Sequence, residues 1–406
     1  MAKKKATPKA KQSPAIAIQP AGDDHTDEFA SLRNPELTEV LTELRDHLSR
    51  SRKVFLFGAG CSKCAGLPLM PELTSQVLAH LESQGLTNTH GLLADVEKHF
   101  DGAHQPNIED FMSEIVDFSC IADRRRGRKA AKSSVQIGSA EYEAEKLQQA
   151  LIEIKSSIAH VIQDVDAEIQ WHRVFCNAIH RIGSSGKPGR GTAVDYFTLN
   201  YDTLIEDALS LEKLSVCDGF HGGATGWWNA DLYNTETADA RVFKVHGSID
   251  WCLGEGETLP SRLRHGMQLP GDHERVLIWP AATKYRETQR DPYAQIIDYM
   301  RRSLRPPGSD ETLLVICGYA FGDSHINLEI ERALRESNER LTVMIFTSDD
   351  EPADCLRKWQ DLAEIRDQVQ VYCNKGFFHA EREIRTTEAL PWWRFEIFAQ
   401  ILAGAL

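Results

Sequence analysis

Seven short apolar runs punctuate the chain: 53–57 (KVFLF), 194–199 (VDYFTL), 242–246 (VFKVH), 275–279 (RVLIW), 312–317 (TLLVIC), 341–347 (LTVMIFT) and 369–373 (VQVYC). Several are apolar without alternation, the pattern of a strand buried on both faces. Helix-like stretches separate several of them, and strands alternating with helices predict a doubly wound α/β fold with a mostly parallel sheet. Ahead of the first run, Asn34-Pro35 predicts a capped helix start, with Leu37, Val40, Leu41, Leu44 and Leu48 on one face. Between about 70 and 185 no run reads as a strand. There Leu147, Leu151, Ile154, Ile158, Val161 and Val165, spaced 4, 3, 4, 3 and 4 residues apart, predict a long amphipathic helix. The region reads as a helical module inserted between the first and second strands, its apolar stripe used for packing within the module.

Composition narrows the class. The 406 residues are 42% hydrophobic and 26% charged, the profile of a globular protein large enough to hold its core without disulfides. Lys and Arg number 46 against 60 Asp and Glu, a net charge of −14 that argues against a general nucleic-acid coat. The charge is uneven: residues 1–27 hold five Lys and three Asp, and lack aromatics. The expected organisation is a disordered basic tail over 1–30, a core over 31–350 and a C-terminal extension over 351–406 packed on the core or a partner. No apolar run is long enough for a membrane span or secretory signal, so the expectation is a cytoplasmic protein with reduced thiols. Of nine cysteines only Cys61 and Cys64 have C-x-x-C spacing, with no second pair to complete a zinc site, and no metal is expected. The basic stretch 124–129 reads as a solvated turn beside the module, with a phosphate contact as the alternative. Gly183–Pro188 lacks P-loop spacing, and Trp227-Trp228 and Trp392-Trp393 are expected to pack internally.

Four glycine-marked strand ends carry the candidate chemistry. In GAGCSKCAGLP (58–68), Gly-x-Gly ends a strand before a helix-compatible segment, which suits either a plain connection or a phosphate cradle. In TLNYD (198–202), Asn200 and Asp202 stand at the strand edge where open α/β sheets bind ligands, or simply hold a turn and cap a helix. In KVHGSIDW (244–251), His246 is placed as a general base beside a Gly turn, or as a hydrogen-bonded structural residue. In GYAFGDSHIN (318–327), Gly318 marks a further close approach, and Asp323 and Ser324 sit as helix caps.

Taken in order, these four motifs resemble the sirtuin-like domains of bacterial anti-phage defence proteins, relatives of NAD-dependent deacylases, over roughly residues 50 to 350. The resemblance implies a Rossmann-like, mostly parallel sheet with the helical module as an insertion. It implies that Gly58, Ala59, Gly60 and Ser62, with Gly66 and Pro68 behind them, cradle NAD. Gly318, Phe321 and Asp323 would line the nucleotide pocket, and Ser348 or Asp349 would meet the adenosine ribose. It makes His246 the catalytic histidine, with Asn200 positioning ribose and water and Asp202 orienting the site. Two departures point away from deacylation. Between Gly247 and Ile316 there is one cysteine, Cys252, where the deacylases carry a four-cysteine zinc ribbon, and Pro68 is not followed by Asp-Phe-Arg. The implied activity is cleavage of the nicotinamide–ribose bond, with NAD as substrate and no zinc. It would act in a homo-oligomer regulated by a HerA-type hexameric ATPase, or second a short Argonaute-type protein, with any nucleic-acid contact local or through the partner. A protein deacylase and a non-hydrolytic nucleotide-binding subunit are the rival readings.

Overall fold

The computed structural model describes residues 27–100, 102, 105–130, 132–184, 193–235, 237–267, 273–277 and 291–406. Most of the basic tail, positions 278 and 279 of the fourth apolar run, and 185–188 of the glycine-rich stretch lie outside the described residues.

Sixteen strands are described: β1 (Arg52–Phe57), β2 (Val135–Ile137), β3 (Ala140–Tyr142), β4 (Val194–Thr198), β5 (Val216–Cys217), β6 (Phe220–Gly222), β7 (Gly226–Trp228), β8 (Ala240–Lys244), β9 (Gly247–Gly254), β10 (Ser261–Arg262), β11 (His273–Leu277), β12 (Thr312–Cys317), β13 (Leu341–Phe346), β14 (Val369–Cys373), β15 (Gly376–His379) and β16 (Arg382–Arg385). Nine form one sheet in the order β16-β15-β14-β13-β12-β1-β4-β8-β5. From β14 to β5 all neighbours run parallel, and β15 and β16 add an antiparallel edge. This is the doubly wound, mostly parallel α/β sheet that the alternating runs predict. Six of the seven runs became its strands, while 275–277 joined a second, antiparallel sheet ordered β11-β9-β10-β7-β6.

The described helices are α1 (Pro35–Arg50), α2 (Met70–Ser83), α3 (Thr87–Glu97), α4 (Ile108–Gly127), α5 (Ala144–Gln163), α6 (Gln170–Ser184), α7 (Leu204–Leu211), α8 (Tyr293–Leu304), α9 (Ser324–Glu336), α10 (Asp354–Asp361) and α11 (Phe395–Ala403). Along β1, Phe55 and Phe57 enter one apolar layer with α1, α6 and α11, while Val54 and Leu56 enter the opposite layer with α8, α9 and α10. That two-sided burial explains why β1 reads as an unbroken apolar run. Asn34 caps α1 as its sequence predicts, its Oδ1 accepting from the Glu36 amide at 2.9 Å.

The module region is less uniform than its sequence suggests. Helices α2 to α5 form their own apolar core, which holds Leu147, Ile154, Ile158 and Val161 of α5 and reaches Leu277 of β11. A short hairpin, β2–β3, sits inside it. Strands of three residues are too short to show a period, which is why the sequence conceals them. Helix α6 packs instead on the large sheet, Phe175 lying 5.2 Å from both Phe55 and Phe395 between ring centroids. Trp228 and Trp392 are buried, but Trp227 is exposed and stacks on His221. Among the described residues, no helix is long and apolar enough to cross a membrane.

Candidate functional site

The strand order reverses at β1: the chain moves from β1 toward β4 and β8, then crosses back to β12, β13 and β14. Ligands of open α/β sheets bind at the carboxyl ends of strands beside such a reversal. Here the two loops at that point touch through backbone. The Gly58 amide donates to Cys317 O at 3.0 Å, and the Gly60 amide to Gly318 O at 2.9 Å. A Cβ on Gly58 would lie 2.4 Å from Gly318 O, and one on Gly318, held at φ +66°, would lie 2.4 Å from the Cys61 amide nitrogen. The first demand on these glycines is therefore the contact between the two loops.

The segment after Gly58 is not an α-helix. It makes two 3-10 turns, Ala59–Cys61 and Lys63–Ala65, and closes with Gly66 at φ +89°, while α2 begins only at Met70. The helix-start argument for a bound pyrophosphate is lost at this position. An exposed Ala59 beside a tightly held backbone crevice remains. Leu67 is buried against Leu204 and Ala65, and Pro68 follows it half-buried.

Ser62, Asn200 and Asp202 come together. The Asn200 Nδ2 donates to Gly58 O at 3.0 Å and to Ser62 Oγ at 2.8 Å, and Ser62 Oγ donates to Asp202 Oδ2 at 2.7 Å. Asp202 Oδ1 accepts from the Leu204 amide at 3.1 Å, so Asp202 both caps the approach to α7 and orients Ser62. Asn200 Oδ1 is buried and accepts no hydrogen bond from the described residues. A buried acceptor left unmade costs about 1–3 kcal/mol, so such an atom calls for a ligand or water donor.

His246 follows β8 and is 4% exposed. Gly247 at φ +79° sets its turn against the Val276 carbonyl, 2.1 Å from where a Cβ would stand. His246 Nε2 lies 3.9 Å from Asp323 Oδ1. Asp323, expected as a helix cap, occupies that position before α9, yet its side chain makes no capping hydrogen bond. Its backbone is held by Tyr319, whose hydroxyl accepts from the Asp323 amide at 3.0 Å. Phe321, at φ +57°, packs on Tyr319 and Trp359. One strand further along the same edge, Ser348 and Asp349 lie exposed after β13, with the Asp349 carboxylate accepting from Thr347 Oγ1 at 2.9 Å.

Several residues of this edge escaped the sequence reading. Lys244 is 1% exposed, donates to the Asp202 carbonyl and stands 3.4 Å from Glu206 Oε1. Burial pushes the Glu206 carboxyl up to about 7, with Lys244 pulling it down. Both line a cleft of about 660 Å³ with Leu67, Asp202, Asp250 and Arg262. Burial also pushes the Tyr201 hydroxyl well above its ordinary range, where it packs against the module core. His172, beneath the Gly58–Gly60 loop, is lowered to about 4 by burial and stays neutral. A lysine within an apolar strand, or a histidine within a helix, carries no sequence mark of these positions. Cys252 is buried with its thiol toward Ser261 O, and one cysteine does not fit a four-cysteine ribbon.

No curated protein matches this chain. Two solved structures are similar in shape: complexes of a Sir2 homologue with ADP-ribose, one a serine-to-alanine and one a phenylalanine-to-alanine mutant. Each is 10% identical and covers 89% of this chain and 94% of its own, with TM-scores of 0.40 and 0.39. Residues 194–364 match the family described as the SIR2-like domain, a stretch that holds Asn200, Asp202, His246, Gly318, Phe321, Asp323 and Ser348 while leaving the Gly58–Pro68 loop outside. Over that stretch the chain is similar to the SIR2-like domain.

Proposed function

We propose that the chain hydrolyses NAD at the nicotinamide–ribose bond. The observation that carries the reading is the buried, unpartnered Asn200 Oδ1, held by Ser62 and Gly58 at the sheet's reversal point. Asn200 accepts a hydrogen bond from a ribose hydroxyl or the attacking water, and the Ser62–Asp202 pair fixes its amide. The pyridinium nitrogen takes the electron pair of the broken C–N bond and leaves neutral, so no acid is required at that end. Water adds to the ribose carbon through an oxocarbenium-like transition state, and His246 accepts the water's proton. The products are nicotinamide, ADP-ribose and a proton. Deep burial of His246 excludes bulk water.

In the cell this activity would deplete NAD during anti-phage defence, as part of a homo-oligomer governed by a HerA-type ATPase or a short Argonaute-type protein. The test measures nicotinamide release by wild type, Asn200→Ala and His246→Ala, each with and without such a partner. Release by wild type with at least about 100-fold loss in either variant supports the reading. Intact NAD under every condition, or deacylation of acyl-lysine peptides in its place, overturns it.

A further inference from the structure

We infer that His246, Asp323 and His325 form a binding site for one transition-metal ion of the Zn2+ class, and that its occupancy silences NAD cleavage. The second half rests on the function proposed above; the first does not. One ligand atom from each of the three residues lies within 4.8 Å of the other two. His246 Nε2 and Asp323 Oδ1 stand 3.9 Å apart. In a tetrahedral zinc site, bonds of about 2.0–2.2 Å place neighbouring donors roughly 3.3–3.6 Å apart, so closure needs each side chain to shift by about 1 Å or less.

The donor set decides the class of ion. Two imidazoles and one carboxylate suit Zn2+ and its borderline neighbours, whereas Mg2+ and Ca2+ demand oxygen. Three protein ligands would leave a fourth position for water. His246 and Asp323 are 4% and 6% exposed, so both donors are shielded from bulk water. The ligands come from two elements, the turn after β8 and the start of α9. The site differs in residues and position from any cysteine ribbon, so the cysteine count that argued against zinc does not bear on it. A metal on His246 takes the imidazole lone pair that would accept water's proton. The cleavage steps proposed above use no atom of His325, which makes it the residue to change.

Metal-free full-length protein is titrated with Zn2+ by calorimetry and with Co2+ by its visible absorption, for wild type, His325→Ala, His325→Gln and Cys64→Ser, with melting curves to establish folding. The expected result is one equivalent of Zn2+ on wild type and on Cys64→Ser, weakened by at least about 100-fold in both His325 variants, since loss of a direct ligand exceeds the loss of an outer-shell partner. The same Zn2+ concentration should stop nicotinamide release by wild type, reversibly with a chelator. The His325 variants should stay active, with metal-free rates within about threefold of wild type. Unchanged Zn2+ affinity in a folded His325 variant, or no tight equivalent on wild type, overturns the site. Zinc binding as expected in protein that never cleaves NAD leaves the site standing and removes the cleavage reading and its inhibition.

Discussion

The two ends of strand β4 hold polar groups under opposite conditions. At its start Asp195, fully buried, accepts from Arg241 Nε at 2.6 Å and Nη2 at 2.8 Å, from Arg52 Nη2 at 2.7 Å and from Ser303 Oγ at 2.7 Å. Every oxygen is satisfied, and the cluster ties β1, β4, β8 and α8 together. At its far end Asn200 Oδ1, Glu206 Oε2 and Asp250 Oδ1 are buried without a partner among the described residues. His246 Nε2 and Asp323 Oδ1 lie 3.9 Å apart at the same end. Saturated polarity builds the fold, and unsaturated polarity at the other end leaves valences for a ligand.

The largest test of that contrast is Asp195→Ala. It leaves two half-buried guanidinium groups and a buried hydroxyl without their carboxylate, so urea denaturation should show a loss of about 3 kcal/mol. Next comes Gly318→Ala, whose methyl would meet the Cys61 amide at a left-handed φ. It should cost about 2–3 kcal/mol and weaken NAD binding as the two loops separate, read by denaturation and calorimetry. Glu206 supplies a smaller, pH-dependent effect. Its folded value of about 7 exceeds the ordinary 4.5, so its stabilising contribution is full below about pH 4.5 and is lost as pH rises through about 7. Melting temperatures of wild type should therefore fall against Glu206→Gln between about pH 5 and 8, by the equivalent of about 1–2 kcal/mol. Smallest is Trp227→Ala, which removes an exposed ring and should shift stability by no more than about 0.5 kcal/mol.

How much was legible follows the same division. Six of the nine strands of the large sheet could be read because burial on both faces leaves a local, continuous apolar signature. The asparagine cap of α1 was local too. Asp195 gave no warning, since a lone carboxylate in VDYFTL finds its partners 46, 108 and 143 residues away. The glycines at 58, 60 and 318 were readable as close approaches, but what approaches is first the neighbouring loop. Asp323 was readable as a cap by position, whereas the orientation of its carboxylate depends on tertiary contacts. His325, two residues on, becomes notable only when β8 and α9 are brought together. Two- and three-residue strands such as β5, β6 and β10 carry too few positions to show any period.

The contrast between the two ends reduces to one paired measurement, nicotinamide release per folded molecule by Ser303→Ala and Asn200→Ala beside wild type. Ser303 serves the saturated end, so its variant should lose stability yet keep wild-type turnover. Asn200 serves the unsaturated end, so its variant should remain folded and lose at least about 100-fold in turnover. Wild-type turnover by folded Asn200→Ala, or an equal loss in Ser303→Ala, would contradict the account.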